Sequence, residues 1–183
     1  APQRAALAAQ KFEGEGYSFA IVPDGDHWFV VSGVANTESL SSWCMAKLAE
    51  MLPAGTYRRA GGEPGPALYG WVTGQYRFDR YLSKGDDEGP RILLTKDVAA
   101  IQPALAEAAA AALVRDLVNT PAEDMGPAQL EHEAQRLAKA HGAEFKVTHG
   151  DALERGFPMV HSVGRAAARR NSPRLIELTW GDP

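Results

Sequence analysis

A long alanine-rich segment, residues 98–118, constrains the fold of this chain more than any other feature of the sequence. The alanine run at 108–112 and the leucines around it are typical of one continuous helix, which Pro103 either starts or kinks. Asn119-Thr120-Pro121 ends this helix, because the residue before a proline avoids the helical region. Such a helix can join two folded bodies. We therefore predict an N-terminal domain at 1–97 (truncated at its start), a connecting helix at 98–118 and the first part of a second domain at 119–183.

The residues before the connecting helix predict a small α/β domain. After a short helix at 4–11, alternating side chains predict strands at Tyr17–Val22 and His27–Ser32, paired as a hairpin across a turn. A helix capped by Thr37 or Ser39 is expected to run to Met51. The apolar run at 91–95 predicts a strand buried on both faces, as in parallel sheets. We expect loops at 60–66 and 83–90.

The residues after the connecting helix predict the start of a second α/β unit. Pro127 opens a helix that Gly142 closes, and its buried face is expected to contain Leu130, Ala134, Leu137 and Ala138. A strand at 145–148, a helical turn at 151–155 and a strand at 174–180 follow. The alternation of helices and strands indicates the α/β fold class for the chain as a whole.

Composition and charge exclude several classes of protein. The 183 residues are 45% hydrophobic and carry a net charge of −4, which argues against a disordered chain and against a large nucleic-acid-binding surface. A single cysteine, Cys44, rules out an intramolecular disulfide framework. We found no signal peptide and no uncharged apolar run long enough for a bilayer. The chain lacks an initiator Met and opens inside a predicted helix, so we expect an incomplete, soluble, cytoplasmic protein without a membrane partner.

Metal and nucleophile motifs are incomplete. His132-Glu133 begins like H-E-x-x-H, but Arg136 stands where the second histidine must be, and a cation there repels a metal. His161-Ser162-Val163-Gly164 resembles part of a G-x-S-x-G elbow, but Val160 replaces the first glycine. Cys44 lies in an amphipathic pattern beside Trp43 and is expected to be a packed thiol. The residues by themselves therefore predict no assembled catalytic site.

Two further patterns leave a binding function open. Arg165, Arg169, Arg170 and Arg174 could hold phosphate, an acidic partner or an adjoining subunit, although a solvated helix end is the favoured interpretation. An aromatic strip with interspersed arginines comprises Tyr69, Trp71, Tyr76, Phe78 and Tyr81. These rings could stack on nucleic-acid bases, but packing in the core or at a domain interface is the favoured interpretation.

Three segments carry a family resemblance. They are Gly70–Tyr81 (GWVTGQYRFDRY), Leu113–Pro127 (LVRDLVNTPAEDMGP), and Phe157–Ala166 (FPMVHSVGRA) leading into Pro173–Gly181 (PRLIELTWG). In sequence, order and spacing they resemble the leucine aminopeptidase family, the cytosol aminopeptidases with two metal ions. The second segment is the most specific match. The resemblance implies a macro-like N-terminal α/β domain, a connecting helix, and the beginning of an α/β/α zinc-peptidase-like catalytic domain.

The resemblance also implies an activity. Members remove N-terminal residues from peptides, leucine among the preferred ones, and assemble as homo-hexamers with sites facing an interior cavity. Two divalent ions (zinc, manganese or magnesium), held by a lysine, three aspartates and a glutamate, polarise the scissile carbonyl and activate a bridging water. An arginine-held bicarbonate serves as the base.

The family's metal motifs do not occur in this sequence. Neither K-G-x-x-F-D-[ST]-G-G nor N-T-D-A-E-G-R is present, and Asn119–Glu123 only imitates the latter, since Pro121 replaces the ligating aspartate. We therefore assign no catalytic, metal-binding or substrate-binding residue and no cofactor to this chain. The leading hypothesis is an inactive fragment of such an aminopeptidase. The alternative is a non-catalytic interaction or DNA-binding module derived from that family. We also expect the fragment to be stable only with the missing part or by self-association.

Overall fold

A computed structural model describes residues 2–83 and 89–181 of the chain. Most of the loop predicted at 83–90 therefore lies outside the described residues. The chain divides into two compact units, Ala1–Val114 and Arg115–Pro183, and the division falls within a helix. Helices and strands are mixed in both units, so the predicted α/β fold class is confirmed.

The described residues of the first unit form three helices, four short strands and most of a fourth helix. In chain order they are α1 Pro2–Ala9, β1 Phe19–Asp24, β2 His27–Ser32, α2 Ala46–Met51, β3 Gly55–Arg58, α3 Ala67–Gly74, β4 Arg91–Leu94 and α4 Val98–Asn119. The strands form two separate pairs, β1 with β2 and β3 with β4.

Strands β1 and β2 form the predicted antiparallel hairpin, in which Phe19 pairs with Ser32 and Asp24 with His27. The prediction for β2 is confirmed in full, whereas β1 begins two residues later than expected. The reason is that Tyr17 has a φ of 65° and lies in a turn closed by a hydrogen bond from Ser18 N to Glu15 O (3.1 Å). Tyr17 N donates to Gly33 O, and Gly33 N donates to Ser18 O. Two residues of one strand thus face a single residue of the other, which is the pattern of a β-bulge.

Helix α2 is much shorter than predicted. It begins at Ala46 rather than near Thr37 or Ser39, and turns occupy the residues before it. The Ser41 hydroxyl and backbone N–H both contact Cys44 Sγ, at 3.2 and 3.3 Å, which holds this stretch in a local turn. Serine side chains compete in this way with helical hydrogen bonds, so the apolar spacing alone overestimated the helix.

Strand β3 was not predicted, and it changes the environment of β4. The two strands are parallel, with Gly55 opposite Arg91 and Arg58 opposite Leu94. The prediction that β4 is buried on both faces is wrong, because Ile92 and Leu94 are 49% and 54% exposed. Only the face that carries Leu93 packs on the core.

The core of the first unit lies between α2, α3 and the strands. Leu48, Ala49, Leu52 and Trp71 are buried together, and residues from all four strands pack against them. Helix α3 approaches α2 and the turn before it closely. A Cβ at Gly70 would overlap the carbonyl oxygen of Ser42 in that turn, and one at Gly74 would overlap that of Ala46, the first residue of α2. These two glycines therefore determine how near the helices lie.

Up to residue 181, the second unit consists of the end of α4, a strand pair and three further helices. It contains α5 Pro127–His141, β5 Glu144–His149, α6 Gly150–Gly156, α7 Pro158–Gly164, a 3-10 turn at Arg169–Asn171 and β6 Arg174–Thr179. Strands β5 and β6 are antiparallel, with Glu144 opposite Thr179. As predicted, Pro127 is the first residue of α5 and Gly142, in the left-handed conformation (φ 66°), ends it. Helix α7 was missed, and Leu130, predicted to be buried, is 46% exposed.

Helix α4 extends over nearly the predicted residues and contains Pro103 without interruption. Within the described ranges it is also the one helix long and apolar enough, by length and composition, to cross a membrane. This supports a membrane span only weakly, because helices of soluble proteins pass the same criterion and alanine supplies much of the hydropathy here. The absence of a membrane partner stays a prediction.

Candidate functional site

The incomplete zinc motif forms an ion pair on the surface of α5. Arg136 Nε donates a hydrogen bond of 2.8 Å to Glu133 Oε2, so the carboxylate is engaged by the cation one turn away. His132 is exposed on the same helix. Nowhere in the described part of the chain do three His, Cys, Asp or Glu side chains come together in a group that could hold a metal ion. These residues therefore do not fit a metal centre.

A shallow hollow beside this ion pair contains two cationic side chains, Arg136 and Lys139. It lies between α5 and the beginning of β5, and its polar side chains are His132, Gln135, Arg136 and Lys139, with Phe145 among its apolar ones. No carboxylate and no hydroxyl lines it. The hollow thus has no hydroxyl or thiol that His132 could activate, and its two cationic side chains offer only weak contact to an anion.

The serine of the elbow-like motif lies within a helix. Residues 161–164 belong to α7, whereas a nucleophile elbow needs a sharp turn between a strand and a helix. His161 Nδ1 is 4.0 Å from Glu154 Oε1, a contact on the surface between α6 and α7. The arrangement does not present Ser162 to a general base.

The arginine cluster separates into one structural residue and three exposed ones. The Arg174 guanidinium forms a close ion pair with Glu131, and the two side chains are 15% and 25% exposed. This pair ties β6 to α5. Arg165, Arg169 and Arg170 are exposed. The sequence pattern could not distinguish these two roles, because Glu131 is distant along the chain.

The aromatic strip is divided between core and surface, because Trp71 is buried, Tyr81 is 51% exposed, and the other three rings are partly exposed. Trp71 is 3% exposed, and its indole N–H donates to Arg91 O at 2.8 Å. Its ring meets Tyr57 with centroids 5.6 Å apart, and Tyr69 meets Trp43 at 5.3 Å. Burial raises the pKa of the Tyr57 hydroxyl above its ordinary 10.0, and Arg91 partly opposes that shift. The favoured interpretation of packing is therefore correct for Trp71, which is not available for base stacking.

The pKa of Glu63 is also perturbed, and the role of this carboxylate is structural. Its carboxylate accepts hydrogen bonds from Lys96 N (3.0 Å) and the Thr95 hydroxyl (2.8 Å). These bonds, the first foremost, hold the pKa of Glu63 below its ordinary 4.5. Glu63 therefore fastens the loop before α3 to the turn between β4 and α4. Sequence reasoning missed this contact because 32 residues separate Glu63 from Thr95.

Solved structures similar to this chain identify its class. The cytosol aminopeptidase of Coxiella burnetii superposes with a TM-score of 0.80 at 31% identity, over 100% of this chain and 40% of that one. The bottromycin maturation enzyme BotP, solved in complex with Mn, gives 0.75 at 27% identity, over 97% and 42%. The fold is thus that of a two-domain α/β peptidase, represented here by its N-terminal domain and the start of its catalytic domain.

Family models narrow this class to one family. The model of the M17 aminopeptidase N-terminal domain matches residues 1–94, and that of the cytosol aminopeptidase family catalytic domain matches residues 112–183. The chain belongs to the M17 cytosol aminopeptidase family, and the resemblance found in the sequence is confirmed.

Relatives by sequence agree, and they are much longer. The probable cytosol aminopeptidase of Aquifex aeolicus is 35% identical over 116 residues, which cover 61% of this chain and 23% of that protein. The probable cytosol aminopeptidase of Brucella melitensis is 30% identical over 167 residues, covering 85% and 33%. The chain therefore spans about a quarter to a third of the length of these relatives.

Proposed function

We propose that the intact protein is a metal-dependent aminopeptidase that releases N-terminal residues from peptides, with leucine among the preferred ones. The observation that carries this proposal is the match of the second unit to the family's catalytic domain, over residues 112–183. The naming of its relatives as cytosol aminopeptidases supports a peptide substrate and a cytoplasmic location. Assembly as a homo-hexamer rests on the family resemblance.

We propose that two divalent ions, manganese or zinc, act in the intact enzyme. The support is the manganese complex of the similar BotP enzyme. The described residues of this chain do not provide the ligands, because they hold no group of metal-binding side chains, and the two motifs with the ligating lysine and aspartates are absent from the sequence. We therefore derive no catalytic step from this chain and propose that none of its residues is catalytic, metal-binding or substrate-binding.

The proposed role of this chain is to form the framework of the enzyme. We propose that residues 1–97 pack subunits and limit access to the active site, that residues 98–118 connect the domains, and that residues 119–183 begin the catalytic domain. The close ion pair between Arg174 and Glu131, which ties β6 to α5, supports such a structural role for the last part.

Hydrolysis of leucine amide by two polypeptides tests the proposal. The protein extended through both metal motifs is expected to hydrolyse it when supplied with manganese or zinc, and to lose activity in a chelator. The 183-residue polypeptide, with the same metals, is expected to show no hydrolysis. An inactive extended protein would remove the enzymatic proposal, whereas metal-stimulated activity of the 183 residues would refute the assignment of no catalytic residue.

A non-catalytic binding module is the second candidate, favoured by the exposed Arg165, Arg169 and Arg170. Duplex DNA binding that weakens steeply with salt, and that is lost in a triple Ala variant of these arginines, would support it. The net charge of −4 opposes this function. Absence of binding at low salt would exclude it.

A further inference from the structure

Two glutamine side chains in the first unit take the place that a neighbouring strand would occupy. Gln10 Nε2 donates to Ile21 O at 2.7 Å and Gln10 Oε1 accepts from Ile21 N at 3.0 Å. Gln75 makes the same two bonds to Arg91, at 3.0 and 2.9 Å. A primary amide has one donor and one acceptor arranged much as in a peptide group, so each glutamine satisfies the backbone of one strand residue.

The bonds of Gln10 lie on the outer edge of β1. Gly33 N donates to Ser18 O at 2.9 Å, so Ser18 and every second residue after it face β2. Ile21 consequently faces away from β2, as its two bonds to Gln10 also require. Pro23 faces the same way and has no N–H to offer. Ile21 is therefore the position at which a further strand would attach to β1.

Gln75 is anchored to the core of the first unit, whereas Gln10 is not. Gln75 follows α3 directly, and the buried Trp71 on that helix donates to the same Arg91 oxygen at 2.8 Å. Gln10 follows α1, in which no residue is buried, and is exposed itself. Its additional bond is from Nε2 to Ala6 O on that helix (3.1 Å). Gln10 can therefore leave the edge without disturbing the core, whereas Gln75 cannot.

We propose that the Gln10 side chain binds reversibly at the outer edge of β1 and thereby prevents this edge from pairing with β1 of a second copy of this chain. The edge is self-complementary about a twofold axis at Ile21. Antiparallel pairing would place Ile21 opposite its counterpart with both bonds formed, and Phe19 opposite Pro23 with one bond formed. Unpaired edges join in this way unless they are obstructed. Pro23 removes one donor from each strand of this pair, but it leaves both Ile21 bonds available. This inference is independent of the proposed enzymatic activity.

The test uses the substitutions Gln10→Ala and Gln10→Asn in the intact protein. The control is Gln3→Ala, because Gln3 is an exposed residue on α1, the helix that precedes Gln10. Gln10→Asn keeps the amide but shortens its reach. Hydrogen exchange at the Ile21 amide is measured together with sedimentation velocity over a range of concentrations. Because one hydrogen bond contributes about 1 kcal/mol, exchange at Ile21 is expected to become about five- to tenfold faster in both variants.

Measurement of self-association shows whether Gln10 blocks strand pairing or makes only a local contact with Ile21. At high concentration the two Gln10 variants are expected to form assemblies of higher mass than the wild-type species, with protection of the Ile21 amide restored. Gln3→Ala is expected to remain as wild type in both measurements. Unchanged exchange at Ile21, or faster exchange with wild-type assembly at every concentration, would overturn the proposal. Restored protection without added mass would also overturn it, because another segment would then occupy the edge.

Discussion

The substitution Gly74→Ala tests the close approach of α2 and α3, on which the core of the first unit depends. The new methyl would overlap the carbonyl oxygen of Ala46 and lie 2.9 Å from its carbonyl carbon. Ordinary contact between carbon atoms is about 3.5 Å, so the carbon–carbon contact alone requires a separation of about 0.6 Å, and the closer contact with the oxygen requires more. Both partners are backbone, which cannot rotate away as a side chain would.

The expected cost follows from that displacement. Overpacking of this kind costs about 1–3 kcal/mol, and the loss of glycine's freedom in the unfolded chain returns about 0.4–1 kcal/mol. We expect a net destabilisation of about 1–2 kcal/mol, because Leu48 and Trp71 lose contact as α2 moves from α3. Urea unfolding followed by far-UV circular dichroism measures it.

Gly156→Ala is the matched control for this substitution. Gly156 is the last residue of α6, as Gly74 is of α3, but an added Cβ there would meet nothing within 4 Å. The control is expected to be neutral or stabilising by up to about 1 kcal/mol. Equal stability of the two variants would refute the argument that contact with Ala46 determines the need for glycine at position 74.

Three further substitutions follow from particular contacts. Tyr17→Gly is expected to raise the melting temperature, because the left-handed conformation costs a residue with a side chain about 1 kcal/mol and Tyr17 is 53% exposed; a lower melting temperature would mean that its ring contributes packing. Glu131→Gln is expected to destabilise the protein by about 1–3 kcal/mol in urea unfolding, since Arg174 loses its charged partner in a partly buried site, whereas Glu133→Gln, on the exposed pair with Arg136, is expected to cost under about 0.5 kcal/mol; equal effects would contradict the distinction. Glu63→Gln is expected to be less stable than wild type above pH 4.5, because the folded protein stabilises the charged carboxylate and so lowers its pKa. The difference in stability is expected to disappear as the pH falls from 4.5 through the lower pKa of the folded protein. A difference that does not change between pH 6 and pH 3 would contradict this assignment.

The elements that the sequence predicts well are those with signals at both ends. Helix α5 has proline at its first residue and glycine after its last, and β2 lies between a turn and a glycine. These signals act on φ and on local hydrogen bonds, so they need no information about distant residues. The same locality explains why the H-E-x-x-R motif could be dismissed as a metal site from spacing alone.

The elements that the sequence predicts poorly depend on distant partners. Strand β3 is four residues long and begins with glycine, and it exists because β4 pairs with it more than 30 residues later. The start of α2 is decided by the contacts between Ser41 and Cys44, which no hydrophobic period reveals. The same limit applies to the site, because Arg174 and Glu131 are 43 residues apart and no spacing rule joins them.

Large apolar side chains are exposed in both units, and the most exposed of them lie in the second. In the first unit, glutamine side chains close the outer edges of β1 and β4. In the second, large apolar side chains are left in solvent: Val118 is 76% exposed at the end of α4, and Met159 and Val163 on α7 are 83% and 89% exposed. Apolar groups clustered on a short helix mark a surface that another part of a folded protein covers. We therefore expect the 183-residue polypeptide to self-associate through the second unit. Sedimentation equilibrium measures this, and Met159→Gln with Val163→Gln is expected to reduce it, whereas a monodisperse monomer with a cooperative melt would show that these side chains need no cover.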